Sequence, residues 1–356
     1  MLYVVIAGIL FSLYHVSSLF PKERSILFYY LALIGLLVFV GTRDEVGCDW
    51  FSYFGQFNTS YWLSWRESFN DPEPIWWAAM RSMTHAGWEY KALVFISAAI
   101  FFVGVHFLAI RQPNPSGFLA FLFPVLIINL PMSGIRQGVA IGLLCIAATR
   151  LIDGKAMRFA FWTALAATIH SSAAIFLLIT PLVLPQLRPG AKVFIAALLA
   201  IPAVWLLAQG DAGQQAFDRY IETDSEAFGA AFRLAMLALS GAFYLVFLRK
   251  AWKRDFPQDH MFVTLGALAM IGVLAVLPIS SVIADRLGYY LIPIQAMIFA
   301  RIASLQEVRW RKFIALLPTL GMMAFLTAWA TLSDHFALCY VPYHSWLIGD
   351  EIILHR

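Results

Sequence analysis

The chain has 356 residues, of which 61% are hydrophobic and only 13% charged, with 30 Phe and 12 Trp. A soluble domain keeps far more charge, so this composition excludes a water-soluble globular protein and indicates a polytopic membrane protein. The formal net charge of +4 does not point to nucleic acid, because the basic residues fall in short loops between apolar runs, and no nucleic-acid partner is expected.

Apolar runs predict spans at 2–20, 25–41, 91–110, 117–131, 133–149, 157–170, 171–186, 192–209, 229–249, 261–278, 282–303 and 312–332. The expected fold class is all-α: one transmembrane domain over 1–356 with about twelve transmembrane or re-entrant helices. Met1 to Leu19 lacks a basic start and a small-residue cleavage pattern, so it reads as a retained helix. Prolines 124, 131, 181, 202, 278 and 293 lie in or beside spans, where protein or water can satisfy the backbone groups they release. Of the three cysteines, Cys48 and Cys339 can pair if both face an oxidising compartment, with unpaired thiols as the default. The three make no metal pattern.

Basic residues orient the chain. Short loops hold Lys22/Arg24, Arg111, Arg150/Lys155/Arg158, Arg188/Lys192, Arg249/Lys250/Lys253/Arg254 and Arg301/Arg309/Arg311/Lys312, which is 16 of the 25 Lys and Arg. The positive-inside rule makes these loops cytoplasmic. Two larger outer segments remain, 42–90 and 210–228. Measured from the cytoplasmic anchors, His170 is 12 residues from Arg158, Arg136 is 14 from Arg150 and Arg286 is 15 from Arg301. At ~1.5 Å per helical residue these are depths of about 18, 21 and 22 Å in a hydrocarbon layer ~30 Å thick. The expectation is that all three belong to one site in the outer half of the membrane.

Arg136 is the centre of that expectation. It follows Pro131-Met132-Ser133-Gly134-Ile135 between two apolar runs, where an arginine costs a few kcal/mol and needs a partner or a wet cavity. His170 with Ser171 and Ser172, and Asp285 with Arg286, are the other polar breaks. The outer segment 42–90 holds six of the 12 Trp, which suits an interfacial helix and could also stack on sugar faces.

These residues resemble a known family. Arg43 with Val46-Gly47-Cys48-Asp49 and Tyr53 is similar to the R…G-x-D-x-x-x-Y opening of EpsG-type proteins, multi-spanning relatives of the Wzy polysaccharide polymerases. Glu73-Pro74, Arg136-Gln137 followed by Ala140, Ile169-His170 with Ser172-Ala173, Arg286 with Tyr290, and Tyr340-Val341-Pro342-Tyr343 resemble later family motifs in order, over about residues 40 to 345. Cys48 departs from the pattern, standing where a small residue is expected. The resemblance implies a metal-independent, GT-C-like polymerase of undecaprenyl-diphosphate-linked repeat units. It would act at the outer face of the bacterial cytoplasmic membrane, with membrane lipid around it and a chain-length regulator as a further partner.

The chemistry agrees with that implication. Binding a lipid diphosphate at headgroup depth calls for helix-borne arginines, whose planar forks grip two phosphate oxygens and stabilise the leaving group as its charge builds. Arg43, Arg136 and Arg286, with Gln137, Tyr53 and Tyr290, are the candidates for diphosphate and glycan binding. The attacking hydroxyl needs a base. An adjacent arginine lowers a carboxylate's basicity, which counts against Asp285 beside Arg286 and Asp44 beside Arg43. Glu73 and Asp49 therefore rank first and His170 second, an imidazole being able to hold either proton state near neutral pH. The outer segments hold no D-x-D pair to carry a metal, and no cofactor is expected. An O-antigen ligase or a polyprenyl-phosphate-sugar glycosyltransferase is the alternative, although the longest outer stretch is short for a ligase. A lipid-linked glycan transporter is the third class, and the absence of a repeat counts against it.

Overall fold

In a computed structural model the chain is helical. The structure describes residues 1–348 except 18–19, 185–187, 189, 193, 196, 199–223 and 307. The expected span 192–209 therefore lies mostly outside the described residues, as does most of the expected second outer segment, 210–228. Among the described residues no strand forms; the nearest thing is an isolated antiparallel bridge between Arg43 and Ser345.

Contacts divide the chain into two compact units. The first comprises residues 1–143, 168–170 and 317 onward. It holds α1 (Leu2–Ser17), α2 (Lys22–Gly41), the short helices α3 (Trp50–Ser60), α4 (Trp65–Asn70) and α5 (Pro74–His85), and α6 (Tyr90–Ala109). It continues through α7 (Pro115–Leu122), which runs on as a π-helical turn to Ile127, and the first half of α8 (Ile135–Ile152). The second unit takes the rest of α8, α9 (Ala156–Ala167), a 3-10 stretch Ser171–Leu178 leading into α10 (Ile179–Val183), and α11 (Asp224–Phe243). A π-helical passage then joins α11 to α12 (Arg249–Asp255), followed by α13 (His260–Gly272), α14 (Ser281–Tyr289), α15 (Ile292–Arg301) and α16 (Arg311–Ile314). The chain returns to the first unit with α17 (Leu316–Leu332) and α18 (Asp334–Tyr340).

Among the described residues five helices are long and apolar enough to cross a membrane, and α14 with α15, bent by 46° at their break, makes a sixth. Leu2–Ser17, Pro115–Ile127, Ser171–Val183 and His260–Val276 are apolar but shorter. A straight helix of 16 residues is about 24 Å long, less than the ~30 Å hydrocarbon layer. The chain is thus a polytopic, all-helical membrane protein, and five or six full-length spans stand where about twelve spans or re-entrant segments are expected. Pro131 lies in the turn before α8, whereas Pro124 and Pro181 fall inside helical stretches, and the expected spans 2–20, 117–131, 171–186 and 261–278 stand as those shorter apolar helices.

Within the first unit the approach of α6 to α8 depends on glycine. A Cβ on Gly104 would lie 1.9 Å from the carbonyl oxygen of Gly142, so only two glycines let these backbones touch. That contact seats α8, which carries Arg136. The segment after α2 is held by the C-terminal tail: Asp44 N–H donates to His344 O at 3.1 Å, Trp346 N–H to Thr42 O at 3.0 Å, and Gly47 N–H to Cys339 O at 2.7 Å. Tyr343 adds a bond to Phe39 O at 2.6 Å. Cys48 and Cys339 are joined as a disulfide, against the unpaired default, because α18 brings Cys339 beside the turn at Gly47.

Candidate active site

Glu73 is the junction of the site. It occupies the position before α5, with Pro74 at the first helical residue, yet its side chain makes no capping bond. Asp71 takes over that local work, accepting from Glu73 N–H at 2.8 Å. The freed carboxylate accepts from Arg136 Nη1 at 2.6 Å through Oε2, and meets His170 Nδ1 at 2.7 Å through Oε1. All three side chains are nearly buried, at 5% exposure for Glu73, 11% for Arg136 and 9% for His170. Ile75 N–H donates to Thr168 O at 3.2 Å, which ties the start of α5 to the segment that carries His170.

A carboxylate only accepts, so the hydrogen between Glu73 and His170 resides on Nδ1 when the imidazole is neutral. Its Nε2 is then a lone-pair acceptor. That atom is buried and has no hydrogen-bond partner. An unmade buried bond costs on the order of 1–3 kcal/mol, and such an atom in a native fold marks strain, a bound ligand or a catalytic role.

Arg136 begins α8, one residue after Ile135. Besides Glu73 it donates from Nε to Tyr53 Oη at 3.3 Å, with its guanidinium 5.4 Å from the Tyr53 ring centre. Tyr53 comes from the first turn of α3 and is buried. Burial pushes its phenol up while Arg136 pulls the other way, so the hydroxyl stays protonated at neutral pH. Gln137, next on α8, is also buried.

Asp49 precedes α3 but likewise makes no cap; its Oδ2 accepts from Ser133 Oγ at 3.0 Å while Asp49 N–H donates to the same hydroxyl at 3.2 Å. It is exposed, unlike Glu73. Arg43 is 2% exposed and spends its donors on backbone carbonyls: Val40 O at 2.7 Å, Met132 O at 3.0 Å and Val46 O at 3.2 Å. The negative end of α2 offsets its charge, and the three bonds clamp the loop carrying Asp49 to the turn that leads into Arg136. Gly47 completes this clamp. Its φ is +110°, and a Cβ there would sit 1.9 Å from Met132 O.

Arg286 and Tyr290 belong to the second unit. Tyr290 follows the last turn of α14, is buried, and shares a 2.8 Å hydrogen bond with Ser172 Oγ. Asp285 is gripped by Arg233 of α11, from Nε at 2.9 Å and Nη2 at 2.6 Å. Arg233 was invisible in the sequence because it lies 52 residues from its partner, in a run that reads as an ordinary span. Only its being a lone cation inside an apolar stretch could have flagged it.

The structure thus brings together Glu73, Arg136, His170 and Tyr53, and holds Asp49 and Arg43 on the adjoining loop. The sequence profile of the EpsG family matches residues 26–345 of the chain. The chain belongs to the EpsG family. No curated protein and no solved structure matches it significantly. Membership of the EpsG family supports a role of the polysaccharide-polymerase type. Cys48, Cys339 and His335 also lie together, with donor atoms within 4.8 Å of one another. As a disulfide the two sulfurs are not thiolates, the form in which cysteine ligates metal.

Proposed function

We propose that this EpsG-family chain joins undecaprenyl-diphosphate-linked repeat units into a polysaccharide at the outer face of the bacterial cytoplasmic membrane. The observation that carries the reading is the buried Arg136–Glu73–His170 constellation with its unpartnered Nε2. In the reaction the acceptor sugar hydroxyl hands its proton to His170 Nε2, and its oxygen bonds to the anomeric carbon of the donor. The bond from that carbon to the diphosphate breaks, and undecaprenyl diphosphate departs with the electron pair. Glu73 holds Nδ1–H and stabilises the imidazolium, as an orienting carboxylate does in other histidine bases. Arg136 fixes Glu73 from the opposite side.

The geometry favours His170 over Glu73 as the base, because both oxygens of Glu73 are engaged, by a guanidinium and by an imidazole. Asp49 is exposed and anchored by Ser133, which suits orientation of the incoming acceptor. Because Nε2 is covered, acceptor binding must part the side chains over it. Arg286 and Tyr290 are assigned to the diphosphate and glycan of the donor, Gln137 to support of Arg136, and Arg43 to positioning. We take the architecture to be GT-C-like and metal-independent, with the short and broken helices completing about twelve membrane-embedded segments and a chain-length regulator as an external partner.

The test is reconstitution. Purified protein in lipid nanodiscs, given undecaprenyl-diphosphate-linked repeat units and no added metal, is expected to yield glycan of two or more repeats. His170→Ala should abolish it at an unchanged protein level. Transfer of single repeats to a different acceptor, with no lengthening, would replace polymerase by ligase.

A further inference from the structure

The second unit contains an ion pair that the proposed reaction leaves unused. Arg233 and Asp285 form a two-pronged contact, with side chains only 21% and 18% exposed. The Arg233 guanidinium also lies 5.7 Å from the ring centre of Tyr289. Asp285 and Tyr289 are four residues apart on α14, so they share one face of that helix. Arg286 and Tyr290 are four apart in the next register, and Tyr290 is held by Ser172. Along its length α14 packs against α11, the helix that carries Arg233.

We propose that Arg233 is a positioning residue for the diphosphate-binding face of α14. It sets the rotation of α14 through Asp285 and Tyr289, and it neutralises Asp285, whose charge would otherwise compete with phosphate for Arg286. Fork geometry suits the first task, since two parallel N–H···O bonds fix orientation where one would swivel. The second is a matter of charge: Arg233, Asp285 and Arg286 sum to +1, and loss of Arg233 brings the local sum to zero. The inference rests on the assignment of Arg286 to the donor diphosphate.

The probe is undecaprenyl diphosphate itself, titrated onto the purified full chain in nanodiscs. Arg233→Met is expected to weaken binding about tenfold, the order of effect of one unneutralised charge at a partly buried site. Adding Asp285→Asn should restore binding to within about threefold of the parent, because the competing charge is gone although the pair is still missing. A purely structural pair leaves the double variant as weak as the single, and that result overturns the proposal. Asp285→Asn alone, which loses one prong of the fork but also removes the competing charge, is expected to bind within about threefold of the parent; a loss of about tenfold overturns the proposal, even should Arg233→Met fail to fold. Arg286→Gln separates the layers. Parent-like binding by that variant overturns the assignment of Arg286 and the proposal with it, whereas weakened binding there with Arg233→Met unaffected overturns the positioning role alone.

Discussion

Replacing Glu73 by glutamine exchanges one oxygen for nitrogen at the point where Arg136 and His170 meet. Arg136 Nη1 is a donor 2.6 Å away, so the amide oxygen must face it and the amide nitrogen must face His170. His170 Nδ1 then has to accept, which moves the imidazole hydrogen to Nε2 and removes the lone pair that the proposed reaction uses. The fold keeps its shape, but the guanidinium loses its countercharge in a setting where both side chains are nearly buried. Breaking a buried pair from one side costs about 3–5 kcal/mol, and the retained amide oxygen should hold the loss to about 3 kcal/mol. Catalysis should suffer more. An orienting carboxylate turned into an amide inverts the tautomer of its histidine, with losses on the order of 10⁴ in turnover. The assay is the rate of glycan lengthening by purified Glu73→Gln in nanodiscs, normalised to folded protein, with ¹⁵N-histidine NMR reporting the tautomer. Turnover within about threefold of the parent, with the tautomer inverted, would refute the role of Nε2 as base.

Other outcomes follow from the same geometry. Arg136→Lys keeps the charge but cannot reach Glu73 and Tyr53 together, so polymerisation should fall at least about a hundredfold, while Arg254→Lys at the end of α12 stays near the parent rate. Gly47→Ala combines a left-handed φ with a Cβ 1.9 Å from Met132 O, and should lower stability by about 2 kcal/mol or more, read as a lower melting temperature in detergent. For orientation, Asn58→Cys, exposed on α3, should react with an impermeant thiol reagent in cells whose outer envelope admits it, and Gln258→Cys should not; labelling at 258 alone would invert the topology.

Each level of organisation reads differently from the chain. Membrane embedding, helicity and most helix positions are local or compositional properties, since apolar runs must become helices in lipid. Several candidate site residues were legible for a related reason, since an arginine or a histidine within an apolar run is costly and demands company. Which company they keep was not legible. Glu73 meets Arg136 across 63 residues and His170 across 97, Asp285 meets Arg233 across 52, and Cys48 meets Cys339 across 291. Helical and strand periodicities carry no information over such separations; pairing at that range is settled by how helices pack. The roles of Glu73 and Arg43 depended on it most. In sequence Glu73 stands as a free carboxylate and Arg43 as a phosphate-binding arginine. Packing closes both oxygens of Glu73 and buries Arg43 among carbonyls, because a buried charge must be answered by whatever groups the tertiary fold brings within reach.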